Sequence, residues 1–259
     1  MPEGAKAITP TIQLDSYKRE LAVEAEKIVH QQFPCKVVEI NQLLTSSQFS
    51  YDRLPDLLSE GDLNIPKPNQ LLNSTENHVD VVPKKRARMA TVPADVDATT
   101  IEGTKVIGFV NGTVPCNAKI AELIDITRPL LRDAVESVNK VKMWIMFLIP
   151  RIEDGNNFGV SIQEETLAEV RTVESEAAGF LDQMSRYFIS RARLVTKVAK
   201  YPHVDDYRRA IQDMDEKQFI NIRLVLTEMR NHFATLHDMI TKNLEKIKKP
   251  RSNNAEHMY

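Results

Sequence analysis

The chain has 259 residues, and its 34 basic and 36 acidic side chains leave a formal net charge of -2 at pH 7. This length is enough to bury a substantial core in one large domain or two. The near balance of charge provides no general attraction to nucleic acid or to an anionic membrane, so we expect neither as a partner. The cysteines, Cys35 and Cys116, are far apart, which indicates neither a zinc site nor a disulfide framework.

The N-terminal residues are polar, and the longest apolar run, MWIMFLI at 143–149, is much shorter than a membrane span. We therefore expect a soluble intracellular protein. In chain order, an amphipathic helical segment is predicted within residues 1–60, with a kink at Pro34. Residues 61–115 are rich in Pro, Gly, Asn, Ser and Thr and are interpreted as a flexible linker.

Residues 116–259 carry apolar side chains at helical spacing in three further stretches, at about 117–149, 161–200 and 203–248. The longer two would extend for about 60 Å at the α-helical rise per residue. Four long helices joined by a short turn, a loop and a long crossover predict an all-α protomer, a four-helix bundle that forms one structural domain.

The connection after the second of these helices contains RIEDGNNFGVSIQEE, residues 151–165. Pro150 is expected to end the incoming helix, because the residue before a proline disfavours the α conformation. Ser161 and Glu164 have the spacing of a capping box, which predicts that the next helix begins there. The resulting loop of about ten residues is longer than the usual two to eight. Its glycines and asparagines tolerate positive φ; they are Gly155, Asn156, Asn157 and Gly159.

The run MWIMFLI is apolar on every face of a helix, so one bundle core would leave part of it uncovered. We therefore interpret it as part of a subunit interface, with a locally thick core as the alternative. Helix four adds Leu224 and Val225 outside its main apolar stripe, which also favours association. The interface candidates are Met143, Trp144, Met146 and Phe147.

Residue patterns for catalysis or metal binding are weak. A di-iron bundle would require Glu-x-x-His on two helices, and this spacing does not occur in the sequence. Glu228 and His232 are interpreted as a surface pair on one helix. The loop resembles an EF-hand at four positions, but Phe158 occupies a ligand position and cannot coordinate calcium. Those four positions are Asp154, Asn156, Gly159 and Glu165. We therefore predict no catalytic, cofactor-binding or metal-binding residues.

Two polar segments have possible roles in targeting and docking. PKKRARM, residues 83–89, is a candidate nuclear localisation signal, with a solvated charge run as the alternative. Its basic residues are Lys84, Lys85, Arg86 and Arg88. After Pro250 the chain is polar as far as Met258 and Tyr259, and such an arm could be captured in a partner's pocket, although a frayed terminus is the simpler reading.

Four stretches together resemble the 11S (REG) proteasome activator family, in particular its nuclear gamma branch. They are RIEDGNNFGVSIQEE at 151–165, AEVRTVESEAA at 168–178, YPHVDDYRRA at 201–210 and KKPRSNNAEHMY at 248–259. The loop motif is specific, and the resemblance covers nearly the whole chain, with least similarity at 61–115. It implies a non-catalytic heptameric ring of four-helix protomers, in the nucleus, that docks without ATP or another cofactor on the end rings of the proteasome core particle.

The same resemblance implies roles for two sets of residues. The loop, at about 151–160, would contact the gate of the core particle and hold it open; its residues are Arg151, Glu153, Asp154, Gly155, Asn156, Asn157, Phe158 and Gly159. The tail would insert between core α subunits; its residues are Ala255, Glu256, His257, Met258 and Tyr259.

The chain departs from the family pattern at two positions. Arg193 stands where a channel-facing lysine is expected, which keeps the charge but changes the donor geometry. Met258 replaces a branched aliphatic residue in the tail. An oligomeric helical scaffold without gate-opening activity is the alternative function.

Overall fold

A computed structural model describes residues 10–59, 63–65, 112–155 and 157–251. None of these residues forms a β-strand. The helices are α1 (Pro10–Lys27), α2 (Phe33–Thr45), α3 (Leu54–Ser59), α4 (Ala118–Leu148), α5 (Phe158–Lys200), α6 (Asp205–Lys242) and α7 (Leu244–Lys248). No helix in the described ranges is long and apolar enough to cross a membrane.

The prediction of a four-helix bundle is confirmed. The continuous α1–α2 rod, α4, α5 and α6 pack against one another, and their apolar faces meet in one core. Phe33 of α2 and Phe233 of α6 illustrate the packing, with ring centroids 5.2 Å apart and both side chains almost fully buried. The long amphipathic stripes seen in the sequence bury their apolar sides here, and burial of that surface stabilises the bundle.

The irregularity expected at Pro34 is a π-helical segment, Ile28–Gln32, between α1 and α2. Pro34 has no backbone N–H to donate, so the regular hydrogen-bond ladder cannot pass through it. The N–H of Phe33 donates instead to the carbonyl of Ile28, and Nδ1 of His237 lies 2.8 Å from the carbonyl oxygen of Val29. With these contacts the helix stays continuous from α1 through the π-helical turn into α2.

The predicted start of α5 at Ser161 is wrong. The helix begins at Phe158 with Asn157 at the N-cap position, and the Ser161 hydroxyl donates to the Asn157 carbonyl oxygen over 3.2 Å. Ser161 thus lies in the first turn, where its hydroxyl bonds back along the helix and caps nothing. Pro150 acts as expected, because α4 ends at Leu148 and Ile149 has an extended conformation with ψ 122°.

The interface prediction is wrong for Trp144 and Val225. Each has only 3% of its surface exposed and packs in the core of its own protomer. A locally thick core is therefore the correct reading of Trp144. The two exposed apolar residues of that run are Met146 and Phe147, at 39% and 41%, while Met143 is half-buried; Leu224 on α6 is 58% exposed.

Both described ends of the predicted linker pack against the bundle. Leu63 and Ile65 are buried in a small apolar cluster with Val198 of α5 and Ile211 of α6, and Val114 packs against the same cluster. The intervening residues 66–111, including the basic run Lys84–Arg88, lie outside the described residues. The division of the chain around 61–115 therefore stays a prediction.

A buried ion pair that the sequence did not predict lies near the small apolar cluster, since Arg191 contacts Pro115, the residue after Val114. The Arg191 Nε donates to Asp215 Oδ1 over 3.0 Å, and both side chains are almost fully buried. Asp215 also accepts from the hydroxyl of Tyr187 over 2.8 Å and from Nδ2 of Asn117 over 3.0 Å. Arg191 Nη1 donates to the Pro115 carbonyl oxygen. Burial, with the neighbouring Asp215 charge, raises the pKa of Tyr187, which keeps its hydroxyl a donor.

Candidate functional site

The loop at 149–157 and the end of α7 lie together at one end of the bundle, joined by Gln163 of α5. The Gln163 side chain is fully buried. Its Nε2 donates to the carbonyl oxygen of Leu148 over 3.0 Å and to that of Ile247 over 2.7 Å. Helix ends leave carbonyl groups without partners inside the helix. The Gln163 amide provides a donor for one such carbonyl at the end of α4 and one at the end of α7. The point where the chain departs toward its C-terminus is thereby held beside the loop.

Glycines serve two different purposes in this region. Gly155 has a φ of 79°, the left-handed conformation expected in the loop. Gly159 instead lies within the first turn of α5, against the backbone of Pro250. A Cβ atom at Gly159 would stand 2.0 Å from the Pro250 carbonyl oxygen, so any larger residue would force the two segments apart. Gly159 is therefore needed for the close approach of α5 to the start of the tail. The expectation of positive φ at Gly159 is wrong, because this residue is helical.

Arg251 forms the second connection between the tail and the loop. Its Nη1 donates to the Arg151 carbonyl oxygen over 3.1 Å and to Glu153 Oε2 over 2.9 Å. Its Nη2 donates to Asn157 Oδ1 over 3.0 Å. The Glu153 carboxylate also accepts from the Nε of Arg151, so one acidic side chain lies between two guanidinium groups. Such charge-assisted bonds are directional and favour one loop conformation.

The outer surface of the loop combines apolar and polar groups. Ile152 is fully exposed and Phe158 is 73% exposed. Arg151, Asp154 and Gly155 are also exposed. Asn157 is exposed as well, but its side chain bonds within the loop, where Nδ2 donates to the Glu153 carbonyl oxygen over 3.2 Å. Asn156 lies outside the described residues. An exposed isoleucine and phenylalanine beside fixed charges suit contact with another protein surface.

The partial resemblance of the loop sequence to an EF-hand does not extend to its geometry. An EF-hand wraps twelve residues around the ion, with its final ligand a bidentate glutamate. Here the last eight of the twelve corresponding residues, from Phe158 to Glu165, are already α-helical and belong to α5. Glu165 therefore extends along the helix and cannot close around the same centre as Asp154.

One further group of possible metal ligands occurs among the described residues. Glu228 and His232 of α6 meet Glu176 of α5, with ligand atoms within 4.8 Å of one another. His232 Nε2 lies 2.6 Å from Glu176 Oε2 and 3.6 Å from Glu228 Oε1. Both carboxylates are exposed. The interpretation of Glu228 and His232 as a surface pair stays a prediction. The sequence missed Glu176, the nearer partner of His232, because it comes from another helix.

The remaining predicted site residues are placed as follows. Arg193 is exposed on α5, and its proposed position facing a channel stays a prediction. The tail residues Ala255–Tyr259 lie outside the described residues, as do the four basic residues of the linker. The described chain ends at Arg251, so the structure shows where the tail begins.

The fold is a bundle of long helices, and at one end of it an exposed loop is held against the root of the C-terminal segment. The family model for the N-terminal region of proteasome activator PA28 matches residues 11–70, and the model for its C-terminal region matches residues 113–257. The chain belongs to the PA28 family of proteasome activators, and it is a regulator rather than an enzyme.

Sequence and structure comparisons with individual relatives support membership of this family. The chain is 48% identical over 248 residues to human proteasome activator complex subunit 3, covering 96% of this chain and 95% of that protein. It superposes on the crystal structure of the Plasmodium falciparum 11S subunit, PA28, with a TM-score of 0.71 and 26% identity, over 97% and 99% of the two chains. The Trypanosoma brucei activator PA26, solved with the yeast 20S proteasome, shares the fold at 12% identity and a TM-score of 0.52, over 96% and 98%.

Proposed function

We propose that this protein activates the proteasome core particle without ATP, by docking on its α-ring through the C-terminal tails and opening its gate with the loop at 151–160. The observation that supports this most is the junction of loop and tail root at one end of the bundle, made by Gly159 against Pro250 and by Arg251. The face of the protein that carries the proposed gate-opening loop then also carries the root of the tail. Family membership supports the same activity.

In this proposal the loop works as a rigid projection. Gly155 turns the chain at positive φ, and the pairing of Arg151 with Glu153 holds the segment before it. Ile152 and Phe158 project into solvent and would contact the segments that close the core entrance. Because the loop carries no reacting group, its effect on hydrolysis would come from opening a path to the catalytic sites within the core.

The assay that tests the proposal is hydrolysis of fluorogenic peptides by purified core particle, with and without this protein. Stimulation by the full-length chain without ATP is expected. A correctly assembled oligomer that binds no core particle and gives no stimulation would favour the alternative, an oligomeric helical scaffold.

We also propose that the protomers form a homoheptameric ring. Apolar side chains remain exposed on Met146, Phe147 and Leu224, and a closed ring would cover such patches through repeated head-to-tail contacts. The number of subunits rests on the family resemblance. Native mass spectrometry should give a mass of seven protomers, and a stable monomer at micromolar concentration would contradict the ring.

Asn156 provides a test that separates binding from opening. It lies between Gly155 and Asn157 in the sequence, at the expected tip of the loop. Asn156→Tyr adds bulk where the tip must fit a neighbouring surface, so we expect rings that bind the core particle and fail to stimulate peptide hydrolysis. In excess, these rings should compete with the wild-type rings and suppress their effect. Full stimulation by Asn156→Tyr at matched occupancy would remove the loop tip from the mechanism.

Nuclear localisation is proposed on the basis of the basic run in the linker. Short clusters of lysine and arginine are recognised as import signals. Replacing Lys84, Lys85, Arg86 and Arg88 by alanine should shift a fluorescent fusion out of the nucleus while its rings still stimulate the core particle in vitro. Unchanged nuclear fluorescence would show that the run is not the signal.

A further inference from the structure

Arg251 reaches the loop at its beginning, middle and end. Its guanidinium contacts the carbonyl of Arg151, the carboxylate of Glu153 and the side-chain amide oxygen of Asn157. A planar group with several fixed donors sets the orientation of what it binds as well as its distance, which a single charge cannot do. The contacts therefore define where the loop lies relative to the root of the tail.

We propose that Arg251 is a positioning residue that couples docking of the tail to the placement of the loop. This inference rests on the proposed function and names the element that links its two parts. Arg251 precedes Ala255 by four residues. Four residues of extended chain span at most about 14 Å, so a tail held in a pocket of the core keeps Arg251 close to the pocket entrance. The contacts of Arg251 with the loop would then fix the distance between the loop and the surface of the core particle.

The contacts of Arg251 can be removed without dismantling the loop. Glu153 would still pair with Arg151, and Asn157 would still donate to the Glu153 carbonyl oxygen. Gln163 would still join the ends of α4 and α7. Since the Arg251 and Glu153 side chains are 20% and 43% exposed, their pairing adds little to global stability. Its contribution is to the relative position of two segments.

Arg251→Ala is the direct test, and Lys249→Ala is its matched control. Lys249 is an exposed cation two residues earlier, so the control removes the same charge from the same segment. Binding of intact rings to the core particle and stimulation at saturating ring concentration are measured separately. We expect Arg251→Ala to retain binding within about threefold, as for a weak surface pair. Maximal stimulation should fall at least about fivefold, because small misplacements of a working group are costly. Lys249→Ala should change neither.

Arg251→Lys adds a geometric test. A lysine keeps the positive charge and can pair with Glu153, but it lacks the planar fork that reaches three acceptors. Stimulation by Arg251→Lys should therefore recover only in part. Complete recovery would show that charge alone matters and would contradict the positioning role.

Hydrogen exchange on the isolated rings tests, without the core particle, whether Arg251 holds the loop in place. Amides of the loop, at 151–157, should exchange faster in Arg251→Ala, while those in the middle of α5 and α6 stay protected. Unchanged exchange in the loop, or equal losses of binding and stimulation, would overturn the inference. If wild-type rings fail to stimulate the core at all, the proposed function fails, while the exchange result still decides whether Arg251 holds the loop.

Discussion

Asp215→Ala should lower the free energy of unfolding by roughly 3–5 kcal/mol, the usual cost of breaking a buried ion pair by removing one partner. The Asp215 carboxylate is 2% exposed and accepts from Arg191, Tyr187 and Asn117. Without it, the guanidinium of Arg191 remains buried and loses its counter-charge, and two neutral donors lose their acceptor. Urea denaturation followed by far-ultraviolet circular dichroism measures the loss.

Asp213→Ala is the matched control, because it removes an aspartate one half-turn away on the same helix. Asp213 pairs with Arg209 at 2.9 Å, and the two side chains are 56% and 70% exposed. Exposed pairs of this kind contribute about 0.2–1 kcal/mol, so Asp213→Ala should be nearly neutral. Similar unfolding midpoints for the two variants would show that the Arg191–Asp215 pair is not important to the fold.

Deletion of Ala255–Tyr259 should abolish detectable binding to the core particle while leaving the helices and the ring intact. A single tail offers a carboxylate and a few side chains, so its own affinity is expected to be weak. Several tails on one ring act together, because the first to bind raises the effective concentration of the others, and avidity gains of about 10²–10⁴ are typical. Co-sedimentation of rings with core particles measures the loss.

The described contacts explain why the deletion should spare the rest of the protein. Ile247 is fully buried, and Lys248 pairs with Glu26 of α1 at 2.8 Å, so the last turn of the bundle is anchored before the tail begins. Mixed rings, with the shortened chain titrated against the full-length one, would show binding fall steeply as tails are lost. Undiminished co-sedimentation of the fully truncated ring would show that the tail is not the anchor.

Part of the loop could be read from local rules. Pro150 predicted the end of α4, and Gly155 predicted a residue at positive φ, because both depend on the covalent structure of one residue. The start of α5 was missed because the capping box at Ser161 is a local preference. Helix formation from Phe158 is accompanied by the contact of Gly159 with Pro250, which lies far away in the sequence.

The sequence by itself determined that this protein is a bundle of long helices, since apolar side chains at helical spacing must be buried together, and the motif at 151–165 indicated its family. Only the tertiary structure decided which apolar residues face the protomer's own core, as Trp144 does, and which remain exposed, as Phe147 does. It also decided the partners of Arg191, Glu176 and Arg251, each supplied by a distant segment. Periodicity specifies which side of a helix is apolar, but the pairing of charges depends on which helices become neighbours and at what register, and that is settled only when the whole core packs.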